Sequence, residues 1–261
     1  MTTEYLNRLF GLSGQVAVVI GGTGVLGGAL AEALAQAGAF VVVAGRGAER
    51  GEERVRAIEA LGGKAAFAAV DVSSRESIES LLAHVIKTCG RVDMLINGAG
   101  VNSASSYFEV RDEDWEWVIN SNLRAVHWGC QLFGRKMAES PEGGSILNIA
   151  SVSSDKPLSR VFAYSASKAA VVNLTQNVAR ELAPSNVRVN SLCPGFFPAE
   201  QNRKILDADR TANIMRQTPM ARFGEPHELA GAALLLLSRQ AGSFITGASY
   251  YVDGGFTAMR L

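Results

Sequence analysis

Features that mark several other protein classes are missing from this chain of 261 residues. Its three cysteines, Cys89, Cys130 and Cys193, are far apart and form no CxxC pair, so neither a disulfide framework nor a zinc site is indicated. Lys and Arg (25) balance Asp and Glu (25), so no net charge favours nucleic acid or an anionic membrane. We therefore expect no metal site, no nucleic-acid partner and no membrane partner.

Long apolar runs are also absent from the sequence. The run AALLLL at 232–237 is far shorter than the roughly 20 residues needed to cross a bilayer, and the first residues lack the apolar block of a signal peptide. Proline is scarce (7) and glycine is frequent (27), which is typical of tight turns and not of flexible linkers. We expect a globular protein of the reducing cytoplasm.

Apolar runs with the length of strands alternate with segments of helical periodicity along the chain. Several of these runs are apolar throughout, as in parallel strands that are covered on both faces. The pattern predicts one α/β domain over 1–261, with a doubly wound sheet of about seven parallel strands flanked by helices. The predicted strands are 15–20, 40–44, 65–70, 92–97, 145–150, 187–192 and 248–252, and clear helices are predicted at 25–38, 75–88 and 226–239.

A glycine-rich segment, GGTGVLGG at 21–28, follows the first predicted strand and precedes a helix. Glycines at such a turn let the backbone approach a ligand, and the N–H groups at a helix start bind phosphate. The same strand, turn and helix make up the dinucleotide-binding fingerprint. The segment predicts a Rossmann fold whose cofactor-binding residues include Gly21, Thr23, Gly24 and Leu26.

The end of the second strand bears on the choice between NAD and NADP. An NAD site usually has a carboxylate there, which accepts a hydrogen bond from the ribose 2′-hydroxyl. Gly45 and Arg46 leave room and a cation for a 2′-phosphate instead, so we expect NADP to be preferred. Further cofactor contacts are expected where the third and fourth strands end, at Asp71, Val72, Asn97, Gly98 and Ala99.

The segment YSASK at 164–168 supplies a candidate proton donor. Tyr164 and Lys168 are four residues apart near the start of a predicted helix, so their side chains share one face and both can reach the cofactor. A neighbouring ammonium lowers the pKa of a phenol, ordinarily about 10, towards neutrality. Ser151 follows the fifth strand and can donate to a carbonyl oxygen, and Asn122 on the long helix after strand four is a further catalytic candidate.

Together these residues resemble the short-chain dehydrogenase/reductase family over residues 13–257. The family's catalytic Asn-Ser-Tyr-Lys set falls on Asn122, Ser151, Tyr164 and Lys168. The segment NGAG at 97–100 is similar to the family's NNAG element, and NSLCPG at 190–195 to its segment beside the nicotinamide. The resemblance implies reversible hydride transfer between a nicotinamide cofactor and a carbonyl or alcohol group.

The resemblance carries further expectations and some departures. It implies cofactor contacts at Pro194, Gly195 and Phe197, and a homodimer or homotetramer. In the first loop, Ile20 stands where the family has threonine and Val25 where it has glycine. Ala199 stands where a threonine often contacts the nicotinamide.

The substrate is expected to bind in a loop at about 196–220. Arg203 can clamp a carboxylate and Gln201 and Asn202 can bind sugar hydroxyls, with Ser153 as a further candidate. The first loop and 194–203 are most similar to the D-mannonate (fructuronate) oxidoreductase and gluconate dehydrogenase branch, which implies a sugar acid or polyol. A 3-oxoacyl-thioester reductase and a non-catalytic NADP-sensing protein are the alternatives, and the exact substrate, its stereochemistry and the direction of flux stay open.

Overall fold

The computed structural model describes residues 2–197 and 208–258. In this part of the chain, seven strands form one sheet in the order β3-β2-β1-β4-β5-β6-β7, and all neighbouring strands are parallel. Every predicted strand is present, so the doubly wound α/β fold is confirmed. The strands are β1 Val16–Ile20, β2 Phe40–Gly45, β3 Lys64–Ala69, β4 Met94–Asn97, β5 Gly144–Ile149, β6 Val187–Pro194 and β7 Ser249–Val252.

Helices connect the strands and cover both faces of the sheet. None of the helices in the described residues is long and apolar enough to span a membrane. The α-helices are α1 Thr3–Phe10, α2 Val25–Gln36, α3 Ala48–Ala60, α4 Arg75–Cys89, α5 Asp112–Ile119, α6 Ala125–Ala138, α7 Phe162–Leu182, α8 Ala208–Gln217 and α9 Ala230–Leu237.

The apolar strands are explained by two separate cores, one on each face of the sheet. Alternate side chains of a strand point to opposite faces. In β1, Val16, Val18 and Ile20 pack into the core formed with α4, α6 and α7, whereas Ala17 and Val19 pack into the core with α2, α3 and α9. All five side chains are buried.

The three helices predicted from the sequence are present, with one difference at the start of the last. Ser74 accepts a hydrogen bond of 3.1 Å from the N–H of Ser77 at the start of α4, and Gly38 follows α2 with φ +102°. Pro226, however, begins a 3₁₀ turn over Pro226–Leu229, and α9 starts only at Ala230. The proline suits the first turn, as expected, but that turn is tighter than an α-helix.

The long helix predicted after β4 is interrupted in the middle. Between α5 and α6 the chain makes a π turn over Asn120–Arg124. π turns are rare and frequently lie at functional sites. This one contains Asn122, a predicted catalytic residue.

The carboxyl ends of the central strands meet at one edge of the sheet. Ile20 pairs with Asn97 across β1 and β4, and Asn97 pairs with Asn148 across β4 and β5. The glycine-rich loop, the NGAG segment and Ser151 therefore emerge side by side. Ligands of open α/β sheets bind at this edge.

Candidate active site

In the loop between β1 and α2, the backbone passes close to itself and to the backbone of the segment that follows β4. A carbon atom added at Gly27 would lie 2.3 Å from the carbonyl oxygen of Gly21, and one added at Gly21 would lie 2.7 Å from the nitrogen of Ala99. Gly24 is the N-cap of α2 and has no side-chain cap, so the first N–H groups of the helix are left for a ligand. This is the geometry of a phosphate site.

A cleft of about 440 Å³ extends from this loop along the carboxyl edge of the sheet. All the predicted cofactor-binding residues except Asn97 line it. They are Gly21, Thr23, Gly24, Leu26, Arg46, Asp71, Val72, Gly98, Ala99, Tyr164, Lys168, Pro194, Gly195 and Phe197.

Asn97 was expected to contact the cofactor, but its side chain faces the core. It is 3% exposed and donates a hydrogen bond of 2.9 Å to Asn148, which in turn donates one of 2.9 Å to Thr175 on α7. Successive side chains of a strand alternate between faces, and this register directs Asn97 away from the ligand. Its side chain joins β4, β5 and α7 beneath the cleft.

One end of the cleft is basic. Arg46 is exposed there, and a carbon atom added at Gly45 would lie 2.6 Å from Oγ1 of Thr23, so a side chain at the position before Arg46 would require Thr23 to move. Hydrogen bonds from Ser73 and the charge of Arg46 hold the pKa of the Asp71 carboxyl below its usual value. The carboxylate is therefore ionised near neutral pH.

Tyr164 and Lys168 lie in the first two turns of α7 and line the other end of the cleft. The Lys168 ammonium nitrogen is 5.6 Å from the centroid of the Tyr164 ring. It donates a hydrogen bond of 2.7 Å to the carbonyl oxygen of Ile149, the last residue of β5. The predicted pair is thus brought together and anchored to the sheet.

The electrostatics of this pair differ from the expectation. Burial raises the pKa of the Tyr164 phenol, and a hydrogen bond with Ser151 only partly opposes it. Burial also lowers the pKa of Lys168 from 10.5 to about 8. The spacing predicted a shared face correctly, but the expected lowering of the tyrosine pKa is absent because desolvation dominates in this arrangement.

Ser151 follows β5 and lines the same end of the cleft. Its Oγ accepts a hydrogen bond of 3.1 Å from the N–H of Ser153. A hydroxyl has one proton and two lone pairs, so this contact leaves the Ser151 proton available. Ser151 can donate it to an oxygen atom that lies beside Tyr164.

Asn122 lies behind the cleft and is fully buried. Its Oδ1 accepts from the N–H of Val101 (2.8 Å), and its Nδ2 donates to the carbonyl oxygen of Val101 (2.9 Å) and to Oγ of Ser167 (3.1 Å). Ser167 donates to the backbone carbonyl of Tyr164 (2.7 Å). Asn122 therefore connects the loop after β4 to the turn of α7 that carries Tyr164.

The expected substrate residues are only partly described. Ser153 is 2% exposed, and its hydroxyl has no hydrogen-bond partner among the described residues. Gln201, Asn202 and Arg203 lie outside the described residues, as does Ala199.

Several residues of the cleft were not expected from the sequence. Arg50, in the first turn of α3, lines the same cleft as Arg46, and Trp117 and Ser121 contribute from α5 and the π turn. The four-residue spacing of Arg46 and Arg50 is a signal that could have been used. For Trp117 and Ser121 the sequence offered no such signal, because the π turn after α5 interrupts the 3.6-residue periodicity of the helix.

The described residues fit a nicotinamide dinucleotide. The backbone of the glycine-rich loop suits a pyrophosphate, and the basic end suits an adenosine moiety that bears phosphate. Tyr164, Lys168 and Ser151 at the other end suit a reacting carbonyl or alcohol. No group of three or more potential metal ligands occurs in the described ranges.

Comparison with known proteins agrees with this geometry. A family model described as enoyl-(acyl carrier protein) reductase matches residues 23–257. The chain belongs to the short-chain dehydrogenase/reductase family and is an oxidoreductase.

Among its relatives is gluconate 5-dehydrogenase of Gluconobacter oxydans, which is 37% identical over 251 residues, 95% of this chain and 97% of that protein. A 3-oxoacyl-acyl-carrier-protein reductase of Chlamydia pneumoniae is 31% identical over 94% of this chain and 98% of that protein. A gluconate 5-dehydrogenase from Burkholderia cenocepacia, solved with NADP and tartrate, superposes with a TM-score of 0.93 at 31% identity. The superposition covers 98% of this chain and 100% of the Burkholderia chain.

Proposed function

We propose that this enzyme transfers a hydride between NADP and a carbonyl or alcohol group of a sugar acid or related polyol. The main support is that Ser151, Tyr164 and Lys168 come together at one end of a glycine-lined cleft. A nucleotide sensor needs the phosphate site but not these three side chains, so the non-catalytic alternative leaves them unexplained.

The protein positions the substrate and moves one proton. The nicotinamide, when bound, supplies or accepts the hydride. In reduction, Ser151 donates to the substrate oxygen and holds it in place, while the Tyr164 hydroxyl delivers its proton to the same oxygen. The Lys168 ammonium then stabilises the tyrosinate. Oxidation runs through the same contacts in reverse.

Asn122 belongs to the proposed catalytic set as a residue that acts through others. Both ends of its amide are engaged by Val101 and Ser167. We expect it to fix the position of Tyr164 by holding the first turns of α7 to the loop after β4, and to leave room for a water relay to solvent. We do not expect it to contact the substrate.

Three buried polar atoms lie near the catalytic residues without a hydrogen-bond partner among the described residues. They are Oγ of Ser153, Oγ of Ser154 and Oδ1 of Asn102, in the segments that follow Ser151 and Val101. None of these three residues is among those that line the cleft, so the support for a sugar acid comes from the relatives, and Ser153 is kept as a proposed substrate residue. Gln201, Asn202 and Arg203 remain our proposal for the rest of the substrate site.

The relatives include one other class of enzyme that is an alternative for this chain. The reductase of Chlamydia pneumoniae and the family model's description both name an acyl-carrier-protein substrate. The purified protein is therefore to be assayed by absorbance of the reduced nicotinamide against sugar acids, polyols and 3-oxoacyl thioesters, with NADP and with NAD. Turnover of a sugar acid or polyol is expected. Turnover of thioesters alone would overturn the substrate proposal, and no turnover combined with tight NADP binding would favour the sensor.

We propose NADP as the preferred cofactor because the adenosine end of the cleft holds Arg46 and Arg50 and lacks a carboxylate at Gly45. A planar guanidinium binds phosphate with two parallel hydrogen bonds. The Burkholderia relative was solved with NADP, which is consistent with this preference.

The chain is further proposed to be a single cytoplasmic domain that assembles into a homodimer or homotetramer. Phe108 and Phe244 are 98% and 103% exposed, and Tyr107, Trp115 and Tyr250 are at least 40% exposed. Large exposed apolar side chains are common at interfaces between subunits. Light scattering coupled to size exclusion tests this proposal, and a monomer at micromolar concentration would overturn it.

A further inference from the structure

Trp117 occupies an unusual place in the wall of the cofactor cleft. It lies on α5, and it lines the cleft together with Val101 and with Ser121 of the π turn. The indole is nevertheless 48% exposed. Trp117 thus presents a large aromatic surface at the mouth of a site that takes a flat, ring-containing ligand.

We propose that the Trp117 indole packs against the bound dinucleotide and covers its solvent-facing side between the two ends. The adenosine end is marked by Arg46 and Asp71, and the catalytic end by Tyr164 and Lys168. The helices α5 and α7 are in contact, and Trp117 lines the same cleft as both groups of residues.

Two physical effects follow from this contact. Aromatic rings stack on bases and on nicotinamide, and such contacts are worth about 0.5–1.5 kcal/mol beyond the area that they bury. Covering the central part of the cofactor also slows its escape to solvent. Trp117 is thus a residue that strengthens cofactor binding without taking part in proton transfer.

Tryptophan fluorescence during titration with oxidised NADP tests the proposal independently of any substrate. Trp115 offers a matched control because it lies two residues away on α5, is 40% exposed and is not among the described residues that line the cleft. We expect quenching in the wild type and in Trp115→Phe, and loss of most of it in Trp117→Phe. Equal quenching in the two variants would overturn the proposal.

Calorimetric binding of NADP to Trp117→Ser gives a second measurement. The removed contact is expected to raise the Kd about 5- to 10-fold, with the thermal unfolding temperature of the cofactor-free protein unchanged. An unchanged Kd would contradict the proposed contact, whatever the turnover rate of the variant. Failure of the wild type to bind either dinucleotide would instead reject the proposed function.

Discussion

The ammonium nitrogen of Lys168 lies 5.6 Å from the centroid of the Tyr164 ring, yet burial of the phenol raises the tyrosine pKa. The same burial brings the pKa of Lys168 down to about 8. A bound oxidised nicotinamide would add positive charge at this end of the cleft, which favours the tyrosinate. The catalytic pKa of Tyr164 is therefore expected to depend on the cofactor and not on Lys168 alone.

Tyr164→Phe removes the proposed proton donor while keeping the ring that lines the cleft. General acid-base catalysis contributes about 100- to 10,000-fold, so kcat is expected to fall by that factor. The Kd for NADP is expected to stay within about 3-fold of the wild type, since the phosphate loop is untouched. Steady-state kinetics and calorimetry measure the two quantities. A variant that keeps its kcat would remove Tyr164 from the mechanism.

Lys168 makes the cofactor-free protein more stable as the pH rises. Its folded pKa of about 8 is below the ordinary 10.5. Below about pH 8 both the folded and the unfolded state hold the proton, and the cost of burying the charge is fully present. Between about pH 8 and about pH 10.5 only the unfolded state keeps it, so that cost is progressively relieved.

Lys168→Met, which does not titrate, isolates this contribution. At about 1.4 kcal/mol per pKa unit, the free energy of unfolding of the wild type is expected to gain about 2 kcal/mol relative to the variant from about pH 7 to about pH 9.5. Urea unfolding at several pH values measures both proteins, and other titrating groups cancel in the difference. Parallel pH profiles would show that the ammonium is not desolvated.

Arg46 and Arg50 are expected to set the preference for NADP. A hydrogen bond to a charged group is worth about 1.5–3 kcal/mol, so Arg46→Ala is expected to lower kcat/KM for NADP about 10- to 100-fold and leave that for NAD within about 3-fold. Arg50→Ala is also expected to lower kcat/KM for NADP, but by a smaller factor. Arg56→Ala on the exposed face of α3 is the control. Equal losses with both cofactors would mean that the arginines do not recognise the 2′-phosphate.

The positions of the strands, and the place of most predicted cofactor-binding residues in the cleft, followed from the sequence because parallel strands end at one edge. Asn97 shows where this reasoning stops. Its place at the end of β4 was predictable. The face of the sheet to which its side chain points was not, because a shift of one residue in the pairing of β4 with its neighbours would reverse that face. That register is fixed by pairing with Ile20 and Asn148, which no local pattern reveals.

The other differences between the sequence-based expectations and the structure also arise from three-dimensional packing. The four-residue spacing of Tyr164 and Lys168 fixes their common face but not the depth at which the sheet buries them, and it is this depth that shifts the two pKa values. Likewise, nothing in the sequence analysis indicated that Trp117 lines the cleft. The π turn at Asn120–Arg124 and the open cleft beside it could be recognised only in the folded chain.

Arg188 is expected to support stability without affecting catalysis. Its guanidinium is on β6, 9% exposed, and donates to the carbonyl oxygens of Leu236 (2.6 Å), Leu237 (3.2 Å) and Ser238 (3.0 Å) at the end of α9. The last carbonyls of a helix have no partner within the helix. The Leu236 carbonyl also accepts from Ser145 Oγ and the Ser238 carbonyl from the N–H of Gly242, so Arg188→Met deprives mainly the Leu237 carbonyl of its donor, at a cost of about 1–3 kcal/mol.

The expected result is a loss of about 1–3 kcal/mol in the free energy of unfolding, the cost of one unpaired buried acceptor. Urea unfolding measures it. Below the unfolding transition, kcat is expected to match the wild type, since none of these contacts involves a residue of the cofactor cleft. Arg188→Lys keeps the charge but not the planar set of donors, so it is expected to fall between the two. If Arg188→Met were as stable as the wild type, the guanidinium would not be what holds the end of α9 to the sheet.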